Sequence, residues 1–135
     1  MPFVVDNSVT VAWCFVEEGT PYTEGIHDRL RETHALVPAI WPLELRNVLL
    51  VAERRRRITQ ADTVSFLQVL DGLSIILDMA ALTDSLNAVV ALGRQHGLTA
   101  YDACYLELAM RHGLPLATQD AQLRAAAGRA GVPLM

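Results

Sequence analysis

The chain has 135 residues, of which 52% are hydrophobic and 19% charged, with a formal net charge of −4. That length fits one domain around one core, so residues 1–135 are read as a single domain, and the composition excludes a disordered chain. The acidic balance argues against a general electrostatic nucleic-acid binder, and no apolar run approaches the ~20 residues of a membrane helix.

In chain order, Phe3-Val4-Val5 reads as a first strand that stops at Asp6. An apolar helix follows from about Val9 to Val16, closed by Gly19 and Pro21, and a second helix runs from about Tyr22 to Glu32. "HALVP" is a short second strand, and Pro42 suits the start of the next helix, whose apolar side is Leu43, Leu45, Val48, Leu49 and Ala52. Thr59 with Asp62 forms a capping-box pair that opens a fourth helix through about Leu73. "SIILDM" is a third strand. A helix from about Asp84 to Gln95 stops at Gly97, and another from about Ala100 to Arg111 stops at Gly113. "PLAT" is a fourth strand, "DAQLRAAAGRA" a last helix and "VPLM" a candidate final strand.

Strands separated by helices predict a three-layer α/β/α sandwich with a mainly parallel central sheet, because parallel neighbours need crossovers. Ligands gather in such sheets beyond the carboxyl ends of the strands. Four acids belong there: Asp6 after the first strand, Glu44 and Asp102 in the first turns of two helices, and Asp120 after the fourth strand. Each also has an ordinary structural explanation. Asp6 can start a turn, Glu44 can complement its helix dipole, Asp102 lies at capping-box spacing from Thr99, and Asp120 can cap the last helix. Jointly they suggest a pocket, and carboxylates crowded together need a cation to stay ionised. Oxygen ligands without His or Cys favour Mg²⁺ or Mn²⁺.

"VVDNSV", "ELRNVL", "LTAYDACYLELA" and "LATQDAQL" together resemble the PIN-domain family, most closely its VapC-type ribonuclease toxins. The resemblance implies metal-dependent hydrolysis of RNA phosphodiester bonds, with Mg²⁺ or Mn²⁺ as cofactor and Asp6, Glu44, Asp102 and Asp120 as the acidic constellation. It implies Asp6, Asp102 and Asp120 as metal ligands, Glu44 orienting a water or helping to hold a second metal, and Ser8, Asn47, Thr99 and Thr118 as polar support. It further implies a homodimer and a VapB-like antitoxin partner, for which the helices around Tyr22 to Leu30 and Thr63 to Leu70 can leave a hydrophobic groove. Asn7 stands where the family often has Thr or Ser.

Arg54, Arg55, Arg56 and Arg57 end the Glu44 helix. They complement its dipole, and as candidates they grip RNA phosphates or an acidic partner peptide. Trp13, Phe15, Trp41 and Tyr101 are candidates for stacking unpaired bases, against ordinary duty in the core. Cys14 and Cys104 read as small buried hydrophobes in a reducing setting, and with no secretory signal at the N-terminus a cytoplasmic location is expected. An aspartate-nucleophile phosphatase needs a second acid where Ser8 stands, and a Lys, of which there is none. Two other readings keep the fold: a non-catalytic PIN-like binding module, and a nuclease of housekeeping RNA processing.

Overall fold

Phe3, Val4 and Val5 carry no polar side-chain atom, and the computed structural model, which describes residues 1–80 and 85–135, buries all three as strand β1 (Phe3–Val5). There follow α1 (Asn7–Cys14), a 3₁₀ turn at Val16–Glu18, α2 (Pro21–Arg29), β2 (Ala35–Pro38) and α3 (Trp41–Arg54). The second half holds α4 (Gln60–Asp71), β3 (Ile75–Asp78), α5 (Leu86–His96), α6 (Ala100–His112), β4 (Leu116–Ala117) and α7 (Ala121–Ala130).

The sheet order is β3-β2-β1-β4 and every pairing is parallel, with Val4 opposite both Leu36 and Leu116. The chain therefore winds one way from β1 to β3 and returns to the other side of β1 for β4. That reversal opens a crevice beyond the carboxyl ends of β1 and β4, where ligands bind in such folds. Helices flank the sheet in the expected α/β/α arrangement, and α6 packs on β1, β2 and β4. Burial of Leu45 and Leu49 on α3, Leu106 and Leu108 on α6 and Leu123 on α7 anchors these helices to the common core.

Local chemistry explains most boundaries. Thr59 and Asp62 make the expected reciprocal capping box at the start of α4, and Gly97 and Gly113 close α5 and α6 in left-handed backbone (φ 66° and 63°). The first helix begins earlier than its apolar run suggests, because Asp6 keeps extended backbone and its carbonyl accepts the Val9 amide at 3.0 Å. The second helix ends at Arg29, short of Glu32. "VPLM" does not form a strand: Leu134 makes a single bridge to Leu116, and Pro133 has no N–H to carry the ladder further. "PLAT" contracts to two residues, since the Thr118 amide donates to the Tyr22 hydroxyl instead of to a neighbouring strand. The expected helix start at Asp84 lies outside the described residues.

Candidate active site

Asp6 stands at the crevice, 4% exposed, with its amide donating to the Ala117 carbonyl at 2.9 Å and so extending the β1–β4 ladder by one rung. Its Oδ2 accepts hydrogen bonds from Thr118 Oγ1 at 2.7 Å and Ser8 Oγ at 2.8 Å. Each hydroxyl also accepts from a backbone amide, Ser8 from Gln119 at 2.9 Å and Thr118 from Asp120 at 3.1 Å. A hydroxyl has one proton, so this arrangement aims both protons at Asp6. Burial nevertheless dominates and lifts the Asp6 pKa above the usual carboxylate range, against the lowering effect of these donors and of the Asn7 and Ser8 amides.

The backbone of Thr118 is fixed as firmly as its side chain. Its amide donates to the Tyr22 hydroxyl at 3.1 Å, and its carbonyl accepts from Arg124 at 2.9 Å. Tyr22 on α2 and Arg124 on α7 thus brace the loop that carries the Asp6 partners.

Glu44 enters in the first turn of α3. Its Oε1 accepts a 2.7 Å hydrogen bond from the hydroxyl of Tyr105, whose ring is fully buried on α6. Burial raises the Glu44 pKa, the Tyr105 donor lowers it, and the charges of Asp6 and Asp102 raise it again. Asp102, in the first turn of α6, gives its amide to the Thr99 hydroxyl at 3.1 Å. Its pKa is raised by burial and then by the charges of Asp6 and Asp120. The structure therefore brings acids from four separate segments to one edge of the sheet, close enough to act on one another. The N-termini of α1, α3, α6 and α7 lie beside them, and those helix dipoles partly offset the repulsion.

Asp120 caps α7 as its ordinary reading requires, Oδ1 accepting the Leu123 amide at 2.8 Å, while its charge still reaches Asp102. Among the described residues, no three acidic, His or Cys side chains are gathered ready to grip an ion. Asp6 Oδ2, Glu44 Oε1 and Asp120 Oδ1 already hold hydrogen bonds, which leaves the other carboxylate oxygens for an ion. The donor set is hard oxygen throughout. It fits Mg²⁺ or Mn²⁺ held partly through water, which Mg²⁺ commonly retains.

Several expectations change. Asn47 lies exposed on α3 and its side chain makes no hydrogen bond among the described residues, so it does not support an acid here. Arg56 takes left-handed backbone (φ 56°), its amide donating to the Glu53 carbonyl and that of Arg57 to the Ala52 carbonyl, both at 2.9 Å. This is a Schellman closure of α3 with Arg where glycine is usual. The Arg57 guanidinium lies 4.1 Å from the centre of the Phe15 ring and bonds Glu17 at 2.7 Å. Arg57 is thus engaged in structure. Arg54 begins ten residues after Glu44, about 15 Å along the helix axis, so the run lies at the far end of α3 rather than beside the acids. Trp41 and Phe15 are buried, and Trp13 donates its indole N–H to the Thr23 carbonyl at 2.8 Å; only Tyr101 of the four stacking candidates is exposed. Cys14 and Cys104 are free and half-buried, and burial pushes the Cys14 thiol up to about 12.

Tyr105 is the site residue that sequence reading missed. Its signal was available: it follows Asp102 by three residues, one turn along the same helix face.

Two hollows open on the surface, one of them beside this centre. One of about 410 Å³ is lined by Asn7, Leu43, Glu44, Asn47 and Tyr101 among others. A larger one of about 560 Å³ lies away from the acids between α1, α2 and α4, with Trp13, Phe66 and Val69 on its walls and Glu24 and Asp28 on its border. Its place matches the groove expected from the amphipathic helices. Among the described residues no helix is long and apolar enough to cross a membrane.

The PIN domain family model matches residues 3–129. Ribonuclease VapC3 of Pyrobaculum aerophilum is 32% identical over 123 residues, which cover 91% of this chain and 92% of that protein. A crystal structure of a protein from Pyrobaculum aerophilum superposes with a TM-score of 0.69 at 26% identity, over 93% of this chain and 79% of the other. VapBC2 from Rickettsia felis, bound to a DNA fragment from their promoter, superposes with a TM-score of 0.70 over 100% of this chain and 98% of the other. At 12% identity, that last likeness concerns the fold alone.

Proposed function

This chain belongs to the PIN domain family, and from that premise we propose that it is an Mg²⁺- or Mn²⁺-dependent endoribonuclease acting as the toxin of a toxin–antitoxin pair. The observation that carries the reading is the meeting of Asp6, Glu44, Asp102 and Asp120 at the β1–β4 crevice, with three of their pKa values raised partly by one another or by burial. The name of the ribonuclease from Pyrobaculum aerophilum supports RNA as substrate.

Asp6, Asp102 and Asp120 would hold the cation through the oxygens left free by their hydrogen bonds. A bound divalent ion supplies Lewis acidity toward a phosphate oxygen and lowers the pKa of water. Ser8 and Thr118 keep Asp6 oriented, and Tyr105 keeps Glu44 oriented toward the site, where its raised pKa suits it to receive a proton. We read residues 1–135 as one catalytic unit in the cytoplasm.

The apolar hollow between α1, α2 and α4 supports docking of an antitoxin segment with an apolar face and basic residues, given Glu24 and Asp28 on its border. Exposed Leu50 on α3, with Leu86 and Val90 on α5, supports a homodimer.

Incubation of the purified protein with total RNA, in Mg²⁺, Mn²⁺ or chelator and beside Asp6→Asn, tests the reading. Specific products that need metal and vanish in the variant are expected. Products that survive chelation or the substitution would refute it.

A further inference from the structure

Tyr101 and Asn47 remain unused by the site as described. Tyr101 is 58% exposed in the first turn of α6, immediately before Asp102, whereas Tyr105 one turn later is fully buried. Burial in the core does not account for an aromatic residue left mostly open beside an acidic centre. Tyr101 lines the 410 Å³ hollow that Glu44 also borders, together with Asn7, Leu43 and Asn47. The Asn47 amide has no hydrogen-bond partner among the described residues, and Asn7 uses only Oδ1, which accepts from Thr10 at 3.2 Å. An aromatic face, an apolar wall and unused amides therefore surround one opening beside the acids.

We propose that this hollow receives one unpaired base of single-stranded RNA, stacked on Tyr101 and read along its edge by Asn47 and Asn7. The proposal rests on the ribonuclease reading and names what that reading leaves open: the feature of the substrate that sets its position. Charge supports a base as occupant. Without a cation, phosphate oxygens beside Glu44 and Asp102 are repelled, and the neutral base is the part of a nucleotide that can enter the neighbouring hollow without that cost. Every base offers a π face to an aromatic ring, and amide side chains discriminate base edges through paired donors and acceptors. The larger groove lacks this combination: among the described residues it carries no Asn or Gln amide, the carboxylates of Glu24 and Asp28 border it, and its Trp13 N–H is already bonded.

The test is an abasic scan. A short oligoribonucleotide carrying one abasic position at a time is bound, in chelator, to the wild-type chain, Tyr101→Ala and Tyr101→Phe. At one position, loss of the base is expected to weaken wild-type binding about tenfold, the size of one base–aromatic stack, while costing Tyr101→Ala less than about twofold. Tyr101→Phe keeps the wild-type penalty, because it keeps the ring. Absence of such a position, or an equal penalty in Tyr101→Ala, overturns the proposal. So does loss of self-association by Tyr101→Ala in sedimentation, which places the ring between two copies of the chain. If the same RNA survives intact when Mg²⁺ is added while the position-specific penalty persists, the ribonuclease reading falls and the base site stands.

Discussion

The hydroxyl of Tyr105 lies 2.7 Å from Oε1 of Glu44, joining a fully buried ring on α6 to the first turn of α3. Among the described residues no other side chain bonds the Glu44 carboxylate. This bond determines where one of its oxygens points.

Tyr105→Phe removes the donor and leaves the ring. A hydrogen bond to a charged group is worth about 1.5–3 kcal/mol, so a fall in cleavage rate of at least roughly tenfold is expected at neutral pH. The donor lowers the Glu44 pKa, so its loss moves the acid limb of the pH–rate profile to higher pH. A rate loss with an unmoved acid limb would mean that Tyr105 acts through packing alone.

Stability against pH separates two kinds of acid. Asp6, Glu44 and Asp102 have native pKa values above the ordinary 3.8 and 4.5, so between the ordinary and native values the folded chain binds more protons than the unfolded one. The stability they contribute is present at low pH and is lost as pH rises through that window. Asp78, bonded by Arg111 and His112, has the opposite sign: although burial acts upward, these partners hold it near 2, and its contribution is lost as pH falls from 3.8 toward that value. Metal-free protein should therefore show a stability maximum near pH 4 in denaturant titrations. Asp78→Asn removes the decline on the acid side, and Asp6→Asn softens the decline on the other.

Mn²⁺ at about ten times its Kd stabilises the native state by about 1.4 kcal/mol, a rise of roughly 5 °C in Tm at pH 7. The rise shrinks toward pH 4, because burial and mutual charge raise the pKa values of Asp6, Glu44 and Asp102 and protons then compete with the ion. Scanning calorimetry at the two pH values checks this.

Arg54→Ala with Arg55→Ala addresses the basic end of α3. If both cations meet phosphates of a long RNA, the slope of log affinity against log salt falls by about 1.4 for a single strand. Filter binding between 50 and 200 mM salt measures the slope, where an unchanged value excludes phosphate contact.

Val69, 62% exposed on a wall of the larger groove, tests partner docking. Val69→Asp puts a charge on an apolar wall without disturbing the core. RNA cleavage persists, and inhibition by a cognate antitoxin weakens at least about tenfold, since burying an unpaired charge is costly. Equal inhibition of both proteins would move the docking site elsewhere.

The strand–helix alternation and the placement of the four acids were legible because period and position carry them: a short apolar run ending in Asp6, and helix starts at Glu44 and Asp102, put carboxylates at one edge of this doubly wound sheet. What eluded reading depends on three-dimensional contact. The partner of Tyr105 lies 61 residues away, and Thr118 meets Asp6 across 112. "RRRRI" reads as a charge run, yet backbone geometry makes Arg56 a helix terminator and the Phe15 ring claims Arg57. "VPLM" has strand composition, but one proline without an N–H is enough to stop pairing there.

Calorimetric titration with Mn²⁺ at neutral pH asks most directly whether the four carboxylates act as one centre. Millimolar or tighter binding in the wild-type chain, absent from both Asp6→Asn and Asp102→Asn, is the predicted result. Binding that persists unchanged in both variants would contradict it.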